Sequence, residues 1–171
     1  MATLSAQRDK LSQALADIRT THPGVIVDLV CHSQGCVVAA LARPTGIRRT
    51  IFLAAPASLS RDRMVAVFGQ RPGTSFDFTG MSQLQRRDGT TTIVPSAYWK
   101  SLEGLDLFSL YRQLATSTSL TLVNASDDEV IGKANFDPLI GQIEFVTQKA
   151  NHDFTGSGRP IVASLVKDLL R

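Results

Sequence analysis

No apolar run among these 171 residues approaches the roughly 20 needed to cross a bilayer. Residues 1–8 also lack the continuous apolar core of a secretory signal. The expectation is therefore a cytoplasmic protein that does not engage a membrane. Cysteine is scarce. Cys31 and Cys36 are the only two, and no second Cys/His pair stands at metal-ligand spacing. That argues against zinc and for small buried thiols in a reducing compartment. Charge of one sign is never concentrated. The net charge of +3 comes from scattered residues, and Arg48-Arg49 and Arg86-Arg87 are the only adjacent basic pairs. A nucleic-acid face needs clustered cations, so no nucleic-acid partner is expected. Internal repeats and low-complexity segments are missing too. What remains is the composition of one ordinary globular domain over 1–171.

Leu4, Leu11, Leu15 and Ile18 recur at helical spacing, which predicts an amphipathic helix over 4–20. Thr21-His22-Pro23-Gly24 ends it. Val25 to Val30 follows as a β-branched, mostly apolar run, suited to a parallel strand covered on both faces. Next come an apolar helix from Cys36 to Ala42, a strand from Thr50 to Ala55, and two later strands at Leu120–Val123 and Ile143–Val146. A terminal helix is predicted over Pro160–Leu170, with proline in its first turn. Strands alternating with helices imply an α/β fold: a three-layer, mostly parallel sheet with helices on both faces.

Residues 57–118 break this rhythm. Phe76-Asp77-Phe78 and Thr90 to Val94 flank Arg87-Asp88-Gly89, a hairpin signal. A helical pattern resumes from Ala97 to Leu114. The segment is expected to form a lid or insertion over the sheet's C-terminal edge. Phe76, Phe78, Met81, Tyr98 and Trp99 are its candidate pocket walls, or equally its own core.

The chemistry concentrates at Cys31-His32-Ser33-Gln34-Gly35, where a strand runs into a helix. A serine hydroxyl is a weak nucleophile until a base activates it, and a sharp turn lifts it clear of its neighbours. Such a turn calls for small residues two before and two after the serine, here Cys31 and Gly35. The helix N-terminus directs free N–H groups at the same point, that of Gln34 first, where an oxyanion would develop. A serine capping a helix is the plainer alternative.

This pentapeptide resembles the G-x-S-x-G nucleophile elbow of the α/β-hydrolase superfamily, with Cys31 in place of the first glycine. The resemblance implies a chain order of nucleophile, acid, base. After the strand at Leu120–Val123, Asp127 lies three residues before Val130, as in the acid loop of many such hydrolases, and Asp128 is the alternative. A solvated acidic turn is the plainer reading of this segment. After the strand at Ile143–Val146, His152 is followed by Asp153-Phe154, similar to the family's base loop. His22 falls at the other end of the nucleophile strand, and His32 is fixed beside Ser33 and poorly placed to reach its hydroxyl.

The resemblance thus implies Ser33, Asp127 and His152 as a triad with the Gln34 N–H as oxyanion donor, acting on a small-molecule ester or acyl substrate. No metal or organic cofactor is implied, and amide hydrolysis stays open. About 30 residues precede Ser33, too few for the strands and the second oxyanion donor that the family places upstream. The expectation is an N-terminally incomplete hydrolase fold, a fragment or late-start form of a longer protein. The edge at Val25–Val30 would then be free to self-associate. A hydrolase-fold interaction protein, inactive or weakly active for want of a complete oxyanion hole, is the alternative function.

Overall fold

The computed structural model describes residues 1–132 and 135–171. Four parallel strands form its centre: β1 (Val27–His32), β2 (Ile47–Leu53), β5 (Ser119–Ala125) and β6 (Glu144–Gln148), side by side in that order. Phe52 pairs with Leu122 and Leu53 with Val123. Successive side chains in these strands enter different cores. Phe52, Leu120 and Leu122 join the larger one, with Cys36–Ala40 of helix α2 (Gln34–Ala42) and Leu107, Tyr111 and Leu114 of helix α5 (Leu107–Ala115). Ile51, Val123 and Ala125 join the smaller one, with Ala150 and Phe154 of the loop after β6 and Val162 of helix α6 (Gly158–Leu169). Burial on both faces is why β2 and β5 read as continuous apolar runs rather than alternating ones.

Helix α1 (Leu4–Thr21) opens with the Thr3 side chain accepting from the Ala6 N–H, and buries Leu4 and Leu15. At the opposite end of the sheet, Arg48 donates to Asp28 and to the Leu170 carbonyl, at 3.0 and 2.8 Å, tying the end of α6 to β1 and β2. Strand β1 lies at the edge of the sheet. It begins two residues later than expected, leaving Val25 and Ile26 outside it, and its pairing with β2 shifts register around Asp28.

Between β2 and β5 stand helix α3 (Arg61–Phe68), a hairpin of β3 (Met81–Gln85) and β4 (Thr91–Pro95), and the short helix α4 (Ser96–Lys100). The turn at Arg87-Asp88-Gly89 forms, with Gly89 at φ +83° where a Cβ would be strained. The first hairpin strand is a correction. Residues 76–80 form a turn in which the Asp77 carboxylate accepts from the N–H groups of Thr79 and Gly80, and the strand starts after it. The single helix expected over 97–114 is two, separated at Ser101–Asp106. Leu84, Val94, Tyr98 and Trp99 of this segment are buried in the larger core. Among the described residues no helix is long and apolar enough to cross a membrane.

Candidate active site

Ser33 links β1 to α2 at φ 52°, ψ −126°, a conformation that costs a side-chain-bearing residue about 1–3 kcal/mol. Its N–H donates to the Leu53 carbonyl at 2.9 Å and its carbonyl accepts from the Cys36 N–H at 3.0 Å. These bonds to the next strand and the following helix hold the turn. Ala54 after β2 and Phe154 after β6 also have positive φ, as does Arg43 where α2 ends. The Ser33 side chain makes no capping bond to α2. It points instead at His152, whose Nε2 lies 3.0 Å from Ser33 Oγ.

His152 is buried, and its Nδ1 lies 2.9 Å from Asp128 Oδ2. The other Asp128 oxygen accepts from the N–H groups of Val130 and Ile131 at 2.9 and 2.7 Å. Burial alone would raise the Asp128 carboxyl, but the hydrogen bond from His152 and those two N–H groups outweigh it and hold the group below its ordinary value. An ionised carboxylate can only accept. The His152 proton therefore sits on Nδ1, and Nε2 is free to accept from the serine hydroxyl.

The aspartate beside His152 is thus Asp128, not Asp127 as the spacing to Val130 suggested. Asp127 is exposed; its N–H donates to the Ala150 carbonyl at 3.0 Å and, among the described residues, its carboxylate meets only the Ser126 hydroxyl. The turn is closed by the carboxylate that accepts its N–H groups, and that position is 128.

The base loop is held on both sides by residues that sequence reasoning passed over. The His152 N–H donates to Glu129 Oε2 at 3.1 Å, and Glu129 pairs in turn with Arg87 of the hairpin. The His152 carbonyl faces His32 Nε2 at 2.8 Å; since a carbonyl can only accept, His32 carries its proton there. His22 ends α1 at the far end of β1, away from the site. His32, His152 and Asp153 offer atoms within 4.8 Å of one another. Both ring nitrogens of His152 and Nε2 of His32 already have hydrogen-bond partners, so the trio is a poor cradle for a metal.

Gln34 opens α2, and the first N–H of a helix has no intrahelical acceptor. Its side chain is fixed, accepting from the Tyr98 hydroxyl at 2.6 Å and donating to Gln7 at 3.0 Å. Gly35 gives a second correction: a Cβ built there meets nothing within 4 Å, so no close backbone approach demands glycine. Cys31 and Cys36 are buried, and desolvation raises the Cys31 thiol to about 12. Neither is a reactive thiol.

Ser33 and His152 open into a cavity of about 1070 Å³. Its apolar wall is Leu59, Met64, Val67, Phe68 and Phe108, from α3, the loop before it and α5. The aromatic residues proposed from sequence lie elsewhere. Trp99 is buried under Phe76 and Phe78, with ring centroids 6.0 and 5.1 Å away, Tyr98 is buried, and Met81 is 62% exposed.

No family model and no curated protein matches the sequence. Solved structures do. The chain superposes on Est1E from Butyrivibrio proteoclasticus with a TM-score of 0.69 at 17% identity, over 99% of this chain and 70% of that one. The monoacylglycerol lipase of Paleococcus ferrophilus gives 0.59 at 12% identity, over 98% and 75%. An esterase domain from Rhodothermus marinus gives 0.55 at 18% identity, over 82% and 58%. The chain has the α/β-hydrolase fold. It spans a little over half the length of the Rhodothermus esterase domain and about three quarters of the lipase. In this hydrolase fold the serine, histidine and aspartate stand after β1, β6 and β5 respectively, which places all three at one edge of the sheet.

Proposed function

We propose that the chain is a serine hydrolase that cleaves a carboxylic ester or thioester through a seryl acyl-enzyme. Ser33 is the nucleophile, His152 the general base and then acid, and Asp128 the carboxylate that orients the imidazole. In acylation, Ser33 Oγ attacks the carbonyl carbon while its proton passes to His152 Nε2. The carbonyl oxygen gains the negative charge, within reach of the Gln34 N–H at the start of α2. The intermediate collapses, the bond to the leaving oxygen or sulfur breaks, and that atom takes the proton from His152. Water, deprotonated by the same nitrogen, then releases the acid.

The observation that carries this reading is the unbroken hydrogen-bonded row Ser33 Oγ, His152 Nε2, His152 Nδ1, Asp128 Oδ2, at 3.0 and 2.9 Å. Support also comes from the structural neighbours, which include an esterase domain and a monoacylglycerol lipase. A fluorophosphonate probe reacts only with an activated serine, so it should label the wild type stoichiometrically and leave Ser33→Ala unlabelled. The variant should also lose turnover of p-nitrophenyl esters while keeping its fold. Equal esterase rates in the two proteins would remove Ser33 from the mechanism, and an unlabelled wild type would favour the non-catalytic alternative.

A further inference from the structure

Four arginines line the cavity that holds Ser33 and His152, and three of them, Arg63, Arg71 and Arg86, have no carboxylate partner among the described residues. Arg71 and Arg86 flank one ring: their guanidinium carbons stand 4.4 and 5.5 Å from the Phe68 centroid, so they lie within about 10 Å of each other. Each is fixed by one hydrogen bond, Arg71 Nη1 to the Gln85 carbonyl at 3.1 Å and Arg86 Nε to the Thr92 hydroxyl at 2.7 Å. A guanidinium has five N–H donors, so most of each fork stays available on the cavity wall.

Two nearby acids are engaged elsewhere, while Asp153 stands on the same cavity wall and attracts Arg71. Glu129 pairs with Arg87, and the Asp88 carboxylate accepts from the N–H and hydroxyl of Thr90 at 2.9 and 2.6 Å. Burial and the like charges of Arg87 and Arg86 push the Arg71 guanidinium below its ordinary value, and the pull of Asp153 and Glu129 does not offset them. Cations held together in a half-dry cavity repel, and an anion between them turns that repulsion into attraction. Planar forks of this kind match a carboxylate or phosphate in bidentate fashion.

We propose, resting on the ester-hydrolase reading, that the substrate carries an anionic group, carboxylate or phosphate, which docks on Arg71 and Arg86 while its carbonyl meets Ser33. The apolar wall from Leu59 to Phe68 then holds the carbon chain between the two ends. The class is an ester or thioester of an ω-anionic acid, or one whose leaving group bears the anion.

Three substrates of matched length test it: p-nitrophenyl butyrate, mono-p-nitrophenyl glutarate and p-nitrophenyl 4-phosphonobutyrate. At low salt, wild-type kcat/KM should be at least about tenfold higher for an anionic ester than for the neutral one, and the ratio should fall as salt screens the attraction. The better of the two anionic esters tells carboxylate from phosphate. Arg71→Gln and Arg86→Gln should each lower the anionic-to-neutral ratio about tenfold. Equal wild-type kcat/KM for neutral and anionic esters would overturn the inference, and this outcome does not depend on any variant folding. If no ester is turned over, the hydrolase reading itself fails. Calorimetric titration of the Ser33→Ala protein with glutarate and with inorganic phosphate then decides separately. Saturable binding that Arg71→Gln abolishes supports the anion site, and lack of binding refutes it.

Discussion

Asp127 and Asp128 differ by one position and share a side chain, yet only one carboxylate reaches the imidazole. Asp128→Asn would present an amide where His152 Nδ1–H needs an acceptor, and the imidazole would tend to the wrong tautomer; a loss of kcat on the order of 10⁴ is expected. Asp127→Asn, exposed and 25 residues before the histidine, should leave kcat within about twofold, because its structural bond comes from the backbone N–H. Ester kinetics on the two variants check this, and the reverse order would return the acid to Asp127. Asp128 also bears on stability. Its folded carboxyl is held below its ordinary value, so it contributes stability that is fully present above about pH 3.9, the unfolded value. That contribution is lost as pH falls through the folded value. Urea unfolding between pH 6 and 2 should therefore show a steeper acid loss for the wild type than for Asp128→Asn. That Ser33 and His152 meet was legible from sequence because each has one neighbourhood of distinctive residues. The aspartate beside His152 was legible only to within a residue, because D-x-x-V spacing cannot say which carboxylate accepts the turn's N–H groups. Glu129 and His32 were not legible, since both act through the backbone of residue 152, which is 23 and 120 positions away.

At the scale of elements, the glycine after Gln34 bears on how the turn is built. Gly35 lies in the first turn of α2, and a Cβ there meets open space. Gly35→Ala should therefore leave the fold intact and raise stability by about 0.5–1 kcal/mol, since glycine is the costlier residue in a helix. Thermal unfolding measures it, and a loss of 2 kcal/mol or more would mean that the turn needs glycine after all. The central strands β2 and β5 could be read from sequence because both of their faces are buried and apolar, with ends displaced by a few residues. Strand β3 could not. It is Met-Ser-Gln-Leu-Gln, and the inward Ser82 is buried because its hydroxyl accepts from the Trp99 indole N–H at 3.0 Å. A polar residue serving a core partner 17 positions away looks like loop in the sequence. Helix α3 was missed because it is short and opens on three charged residues, Arg61-Asp62-Arg63, although it supplies Met64, Val67 and Phe68 to the cavity wall. The cavity's chemistry was consequently harder to read than its nucleophile.

For the molecule as a whole, the open question is the outer edge of β1. Val25, Ile26 and Val30 are 47%, 67% and 43% exposed beside a strand that pairs on one side only. Unpaired backbone groups next to apolar side chains form a template for a second strand. Two features oppose pairing: the strand is only six residues long, and its register shifts around Asp28, which twists an edge away from a flat partner. Apolar area is the larger effect here, because three branched side chains would leave water together at roughly 1.5–3 kcal/mol each when fully buried. We propose that this chain self-associates edge to edge through β1. Size-exclusion chromatography over a hundredfold range of concentration should show the apparent mass rising, and Ile26→Lys with Val30→Lys should restore the monomer, since lysine on an edge blocks pairing at the cost of two apolar contacts. The substitutions lie away from Ser33's hydroxyl and from both cores, so the folded fraction should be unchanged by circular dichroism. A wild type that stays monomeric at every concentration would mean that the irregularity at Asp28 is itself sufficient to blunt the edge, and that the apolar side chains beside it are tolerated rather than used.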